Sequence, residues 1–146
     1  MPNLLQEALA EHSIRANAVA LDREHALSMC ADLLVASGRV TPEYGEAMIA
    51  VLGELGPYFV IAPGIALAHA KPSEYVLSTG LSLLSLADPV IFGHETNDPV
   101  DLIIGLCATD HDSHITLMAA LADFLSDEGN VNSLLNASDT EQIRSL

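Results

Sequence analysis

The sequence predicts an α/β fold, a single-domain sandwich in which a mixed, mainly five-stranded β-sheet carries helices on both faces. Three observations support this prediction. Segments with helical periodicity lie towards both ends of the chain, and five short segments rich in strand-forming residues lie between them. The length of 146 residues, half of them hydrophobic, suits one domain over residues 1–146 with a sizeable core.

The helical segments are bounded by residues that cap or break helices. Towards the N-terminus, the pattern predicts a helix capped by Asp22 that ends before Gly38, and a helix opened by Thr41 and Pro42 that ends at Gly56 and Pro57. Towards the C-terminus, it predicts a helix capped by Asp112 or Ser113 that ends near Gly129, and two short helices at 131–136 and from 139 onward.

The central segments alternate with turn residues, as strands of one sheet do. The predicted strands cover residues 58–62, 65–69, 77–86, 89–92 and 100–107. Residues 101–108, DLIIGLCA, are nearly all apolar, which is typical of a central strand covered on both faces.

The charge balance excludes several classes of function. The chain has 20 acidic and 5 basic residues and a formal net charge of −15. Phosphate backbones and anionic lipid surfaces would repel such a protein, so nucleic acid is excluded and a membrane surface is not expected as a primary partner. Because 50% of the residues are hydrophobic and only 17% are charged, an intrinsically disordered acidic chain is excluded as well.

No feature of the sequence indicates export or membrane insertion. The first twelve residues are amphipathic and acidic and lack the basic and apolar regions of a secretory signal. The longest charge-free window, residues 55–70, is interrupted by glycine, proline and histidine and is too short to span a bilayer. The two cysteines, Cys30 and Cys107, have apolar neighbours typical of buried hydrophobic residues. We therefore expect a cytoplasmic protein.

Three of the six histidines occupy places where chemistry is expected. His69 ends a predicted strand, and alternation puts the alanines at 66, 68 and 70 on the opposite face. His111 and His114 lie where an apolar strand turns into a helix, and ligands bind at the carboxyl ends of strands in open α/β sheets. The first turn of the helix also favours an anion, through free N–H groups and the helix dipole. If His69 lies beside this turn, the two imidazoles suit phosphoryl transfer.

Other interpretations of the same residues remain open. His69 could be a structural histidine, and His111 could be a solvated neighbour of the helix cap. Asp110, His111, Asp112 and His114 could also bind a metal ion, as in a metal-dependent hydrolase, because imidazoles and carboxylates are good ligands. No glycine loop of the Walker type is present, so a nucleotide is not indicated as the source of phosphate.

Two separated motifs carry a resemblance to a known family. Residues 56–72, GPYFVIAPGIALAHAKP, resemble the active-site segment of enzyme IIA domains of the mannitol/fructose class (type 2) in the bacterial phosphoenolpyruvate-dependent sugar phosphotransferase system. Residues 97–104, NDPVDLII, with DSH at 112–114, resemble the second motif of that family. The resemblance extends from about residue 13 to about residue 135. The strings SIRA, GPYFVIAPG and NDPVD are most similar to the ascorbate-specific branch.

The resemblance implies a mannitol-type enzyme IIA fold and a phosphotransferase that forms phosphohistidine. His69 would accept a phosphoryl group from the phosphohistidine of HPr and pass it to a cysteine of enzyme IIB, which serves a membrane enzyme IIC. His114 would be the supporting histidine that contacts the phosphoryl group. The resemblance implies no metal ion and no organic cofactor.

Some features depart from the family pattern or leave its use open. Ala68 stands where relatives usually have proline, which removes a fixed φ and restores a backbone donor. Some relatives have an upstream arginine that is missing between residues 40 and 70, so Lys71 is the nearby cation that could assist. A regulatory, nitrogen-type module and a mannitol or fructose pathway remain alternatives to ascorbate uptake. A homodimer is compatible with the apolar content.

Overall fold

The computed structural model describes residues 3–55 and 59–137. The helices are α1 (Asn3–Ala8), α2 (Arg23–Ala36), α3 (Pro42–Leu55), α4 (His111–Leu125) and α5 (Glu128–Asn136). The strands are β1 (Leu9–Ala18), β2 (Val60–Ala62), β3 (Ile65–His69), β4 (Gly80–Val90) and β5 (Val100–Cys107).

These five strands form one mixed sheet in the order β1-β4-β5-β3-β2. β1 runs parallel to β4, and β3 runs parallel to β5. The β4–β5 and β2–β3 pairs are antiparallel. β5 lies at the centre and is buried from Leu102 to Cys107, which explains its nearly unbroken apolar sequence. The predicted α/β fold with a mixed five-stranded sheet is confirmed.

Helices cover both faces of the sheet, and alternate residues of each strand contribute to two separate hydrophobic cores. On one face, Ala66 and Ala68 of β3 pack with residues of α2 and α3. On the other face, Ile65 and Leu67 pack with residues of α1, α4 and α5. Because neighbouring side chains of a strand point to opposite faces, His69 belongs to the face that α4 covers.

The first two predicted helices have the predicted starting points. Asp22 caps α2, and its side chain accepts a hydrogen bond from the backbone N–H of His25 at 2.8 Å. α3 begins at Pro42, a position where the missing N–H of proline costs no helical hydrogen bond. The glycine and proline that should end α3 lie outside the described residues.

α4 starts earlier than predicted. Its cap is Asp110, whose carboxylate accepts from the backbone N–H of Ser113 at 2.7 Å, so the prediction of Asp112 or Ser113 as the cap was wrong. Residue 110 has an extended backbone, with φ −150° and ψ 171°, and the helix begins at His111. Three acceptor side chains in one short segment made the cap ambiguous in the sequence.

β1 is a strand that the sequence analysis missed. It lies at the edge of the described sheet and pairs, among the described strands, only with β4, with irregular register at two places. Its residues, LAEHSIRANA, are mostly small or polar, and such residues carry a weak strand signal. Parallel pairing with β4 therefore decides the structure of this segment more than its intrinsic propensity does.

β4 joins two strands that were predicted separately, at 77–86 and 89–92. Asp88 and Pro89 lie at the predicted break between these two strands, but they do not end the strand. Ala87, Asp88 and Pro89 are exposed, and the pairing with β5 is irregular between Ser85 and Val90. A proline is tolerated in such an irregular stretch because no regular ladder hydrogen bond is needed there.

Several predictions fall at or beyond the limits of the described chain. Of the predicted strand at 58–62, residues 60–62 form β2, and Tyr58 lies outside the described residues. The helix predicted from residue 139 onward also lies outside them. Within residues 3–55 and 59–137, no helix is long and apolar enough to cross a bilayer.

A glycine allows α2 to approach the centre of the sheet. A Cβ atom added at Gly105 of β5 would lie 2.4 Å from Oγ of Ser82 and 2.9 Å from Sγ of Cys30. Ser82 is fully buried, and its hydroxyl donates to the carbonyl oxygen of Cys30 at 2.9 Å. Gly105 also pairs with Ala68, so this close contact lies on the strand next to the one that carries His69.

We expect Gly105→Ala to lower the free energy of unfolding by about 1–3 kcal/mol, because the added methyl group overpacks a fixed contact. The control is Gly53→Ala in α3, where an added Cβ would meet no atom within 4 Å. That substitution should raise stability by about 0.5–1 kcal/mol, since alanine favours a helix over glycine. Urea unfolding of both variants tests the pair, and equal effects of the two substitutions would contradict the packing argument.

Candidate functional site

The parallel pairing of β3 and β5 brings the two predicted histidines to the same end of the sheet. His69 is the last residue of β3 and pairs with Leu106 of β5. The chain then leaves β5 and reaches α4, whose first residues include His111 and His114. The rings of His69 and His114 have centroids 5.4 Å apart and planes at 64°. The structure thus places together two imidazoles that are far apart in the sequence.

The ring of His69 is held by its own strand and by an aromatic neighbour. Nδ1 lies 3.2 Å from the carbonyl oxygen of Leu67. Because a carbonyl oxygen can only accept, this contact is a hydrogen bond when Nδ1 carries the proton. The tautomer assigned in this way leaves a lone pair on Nε2. The ring of Phe59 packs against His69 with centroids 5.4 Å apart and planes at 44°.

His114 lies in surroundings that favour its neutral form. Its Nδ1 is shielded from solvent and has no hydrogen-bond partner among the described residues. Partial burial lowers the pKa of the His114 imidazole, and the imidazoles of His69 and His111 lower this pKa further. A proton on Nε2 rather than Nδ1 avoids burying an unpaired N–H group. His114 can therefore act as a neutral donor through Nε2.

A cleft of about 440 Å³ opens beside the two rings. It is lined by Val51, Glu54, His69, Ala70, Lys71, Pro72, His111 and His114. Lys71 brings the permanent positive charge of this lining, and its side chain is exposed. His111 is also exposed, directly follows the cap residue Asp110 and lines the cleft.

The first turn of α4 offers less to an anion than we expected. The N–H of Ser113 donates to the Asp110 carboxylate at 2.7 Å, and the N–H of His114 donates to the Asp110 carbonyl at 3.1 Å. These two groups are therefore not free to bind a ligand. The hydrogen bonds to Ser113 also lower the pKa of Asp110, which keeps a negative charge at the helix start.

The metal-site interpretation receives no support from the geometry. Throughout the described residues, no three histidine, cysteine, aspartate or glutamate side chains come together in a way that could hold a metal ion. Asp110, one of the four ligands considered, is instead engaged as the cap of α4.

Three residues of the site were missed in the sequence analysis. Phe59 precedes β2, and its contact with His69 depends on the pairing of β2 with β3. Val51 and Glu54 reach the cleft from α3. Their spacing of three residues puts them on one helix face, but nothing in the sequence shows which strand end that face approaches.

Comparison with known proteins identifies relatives over nearly the whole chain. Residues 7–146 match the family model of the phosphoenolpyruvate-dependent sugar phosphotransferase system, EIIA 2. The ascorbate-specific PTS system EIIA component of Escherichia coli (strain K12) is 41% identical over 140 residues, which are 94% of this chain and 90% of that protein.

Solved structures of similar proteins share the fold. The mannitol-specific cryptic phosphotransferase enzyme IIA CmtB of Escherichia coli is 34% identical, with a TM-score of 0.86 over 97% of this chain and 95% of that one. The enzyme IIAMTL of Escherichia coli, solved in complex with phosphorylated enzyme IIBMTL, is 27% identical, with a TM-score of 0.81 over 94% of both chains. The family match, the sequence identity and the shared fold agree, and the chain belongs to the EIIA 2 family of the phosphoenolpyruvate-dependent sugar phosphotransferase system, as a phosphoryl-carrying phosphotransferase component.

Proposed function

We propose that His69 accepts a phosphoryl group from the phosphohistidine of HPr and passes it to a cysteine of enzyme IIB. The observation that carries this proposal is the arrangement of two imidazoles, 5.4 Å apart, beside one open cleft. The contact between Nδ1 of His69 and the Leu67 carbonyl supports Nε2 as the attacking atom, because it leaves the lone pair there. An open cleft also suits a reaction in which the donor and acceptor are side chains of other proteins.

The first transfer exchanges one nitrogen–phosphorus bond for another, and the second exchanges a nitrogen–phosphorus bond for a sulfur–phosphorus bond. The Nε2 lone pair of His69 attacks phosphorus, the bond to the donor imidazole breaks, and its electron pair stays on the leaving nitrogen. In the second step, a cysteine thiolate attacks the same phosphorus and the electron pair of the Nε2–P bond returns to His69. Such transfers depend mainly on positioning and on stabilising the charge of the phosphoryl oxygens.

In this proposal His114 donates to a phosphoryl oxygen through Nε2–H, and Lys71 adds a positive charge from the lining of the cleft. The neutral state of His114, favoured by its lowered pKa, does not remove the donor, because a neutral imidazole still carries one N–H. The backbone N–H groups of Ser113 and His114 already donate to Asp110. Side chains therefore contribute more than the start of α4 does to stabilising the charge of the phosphoryl oxygens.

The partners and the pathway are inferred from relatives. The complex of enzyme IIAMTL with phosphorylated enzyme IIBMTL shows that a protein of this fold binds an enzyme IIB. The relative from Escherichia coli (strain K12) is named ascorbate-specific at 41% identity. We therefore assign this chain to ascorbate uptake, together with an ascorbate-type enzyme IIB and a membrane enzyme IIC.

Incubation with phosphoenolpyruvate, enzyme I and HPr should add one acid-labile phosphate to the protein, and His69→Gln should abolish labelling because the nucleophile is gone. His25→Gln is the matched control: His25 is exposed on α2, outside the lining of the cleft, and labelling should persist. Phosphate is measured by intact mass spectrometry.

Undiminished labelling of His69→Gln would show that another residue is the acceptor. The pathway is tested with the phosphorylated protein, which should transfer its phosphoryl group to an ascorbate-type enzyme IIB faster than to a mannitol-type one. Labelling without transfer to any enzyme IIB would instead favour a regulatory role.

We expect His114→Ala to slow phosphorylation of His69 by about 10²-fold, the typical effect of removing one donor that stabilises charge in the transition state. His69 keeps its contacts with Leu67 and Phe59 in this variant, so labelling should still reach completion. Rapid-quench measurement of the phosphorylation rate provides the test. Unchanged kinetics would remove His114 from the reaction.

The pH dependence follows from the lowered pKa of His114. By NMR, its titration midpoint should lie below 6.5, and His111→Gln should move it partly back, because burial remains the larger cause. The folded state binds this proton less readily than the unfolded state does, so the free energy of unfolding should fall as pH drops below about 6.5. His114→Ala should weaken that pH dependence. A midpoint at or above 6.5 would contradict the assigned surroundings.

A further inference from the structure

A buried tyrosine joins the two strands at the step where their pairing ends. Tyr44 is the third residue of α3, and no part of it is exposed. Its hydroxyl oxygen lies 3.0 Å from the backbone nitrogen of Ala70 and 2.7 Å from the carbonyl oxygen of Leu106. The last pair of the β3–β5 ladder is His69 with Leu106. The hydroxyl therefore links the residue after His69 to the residue opposite His69.

The directions of these hydrogen bonds follow from the groups involved. The Ala70 N–H can only donate, so the hydroxyl oxygen accepts from it. The single hydroxyl proton then goes to the nearer acceptor, the Leu106 carbonyl, while the Ala70 carbonyl at 3.2 Å is the more distant alternative. Burial raises the pKa of Tyr44, so the hydroxyl keeps this proton at any physiological pH.

The approach of Tyr44 depends on the small side chains behind His69. Ala66, Ala68 and Ala70 all belong to the core that α3 covers, and a methyl group at each position leaves the backbone accessible. Ala68 does not fix its own φ, as a proline would. The orientation of the strand end around His69 is therefore set by its hydrogen bonds, including those of Tyr44.

We infer that Tyr44 is a positioning residue, whose hydroxyl fixes the spacing of β3 and β5 around His69 and thereby the geometry of phosphoryl transfer. This inference rests on the proposed role of His69. Tyr44 packs on the face of the sheet opposite to the rings of His69 and His114, so it acts through the backbone and touches no reacting atom. The Nδ1 contact of His69 is made within β3, so any change in the strand end also changes the direction of its ring.

Tyr44→Phe tests the inference because it removes only the hydroxyl. Without the hydroxyl, the N–H of Ala70 loses its acceptor and the carbonyl of Leu106 loses its donor. The end of β3 can then shift. We expect kcat for phosphorylation by phospho-HPr to fall roughly 10- to 100-fold, as for other small misplacements of a reacting group. KM for phospho-HPr should stay within about twofold of its original value, since the docking surface is unchanged.

The matched control is Leu27→Ala, a fully buried residue of α2 in the same core. It should lower stability while the hydroxyl of Tyr44 and its hydrogen bonds stay in place, and transfer should be unchanged at a temperature where urea unfolding shows both variants to be folded. The inference is overturned if Tyr44→Phe keeps the original kcat, or if Leu27→Ala loses kcat to the same extent.

A measurement on the unaltered protein covers the case in which Tyr44→Phe does not fold. The Ala70 amide should exchange its hydrogen slowly, because it donates to a fully buried hydroxyl. Exchange as fast as that of the exposed Lys71 would contradict the inference. The two proposals can fail separately. If the His69→Gln variant is still phosphorylated, the proposed role of His69 is wrong. If His69→Gln is not phosphorylated but Tyr44→Phe is fully active, only the inference about Tyr44 is wrong.

Discussion

The parallel pairing of β3 with β5 is the constraint on which the candidate site depends. Its register sets His69 opposite Leu106, at the point where β5 is about to turn into α4. A shift of one residue would move His69 to the other face of the sheet, because side chains alternate along a strand. The apolar residues of both strands lock this register by filling two cores at once. The position of the two imidazoles is thus a consequence of how the whole sheet packs.

In the proposed function, the charges around His69 favour rapid onward transfer of the phosphoryl group. The chain has a net charge of −15, and Asp110 and Glu54 place carboxylates at the helix start and in the cleft. Lys71 is the permanent positive charge among the residues that line this cleft. In the proposed carrier, Lys71 and the Nε2–H of His114 stabilise the phosphoryl oxygens, whereas the carboxylates of Glu54 and Asp110 repel them, and this repulsion favours onward transfer. For a protein that is proposed to pass its phosphoryl group on, weak stabilisation of the phosphorylated form is an advantage.

The sequence was informative where local chemistry decides the structure, and less so where distant pairing does. Asp22 and Pro42 marked helix starts correctly, and the apolar run of β5 marked the central strand. β1 was missed because its structure depends on pairing with β4, some seventy positions further along the chain. The sequence could not predict that His69 and His114 lie close together, because no local pattern gives the order of the strands in the sheet. Tyr44 had no signal, because its partners are backbone atoms of distant segments.

The division into two cores has a consequence for engineering this protein. The layer of α4 and α5 carries His111 and His114, whereas the layer of α2 and α3 contributes Tyr44 from behind the sheet and also Val51 and Glu54 to the lining of the cleft. A protein that docks at the cleft therefore meets residues of both layers, and its selectivity cannot be redesigned on one layer alone. Recombination between relatives should respect the same boundary, with each parent donating a complete layer together with the strand faces it covers.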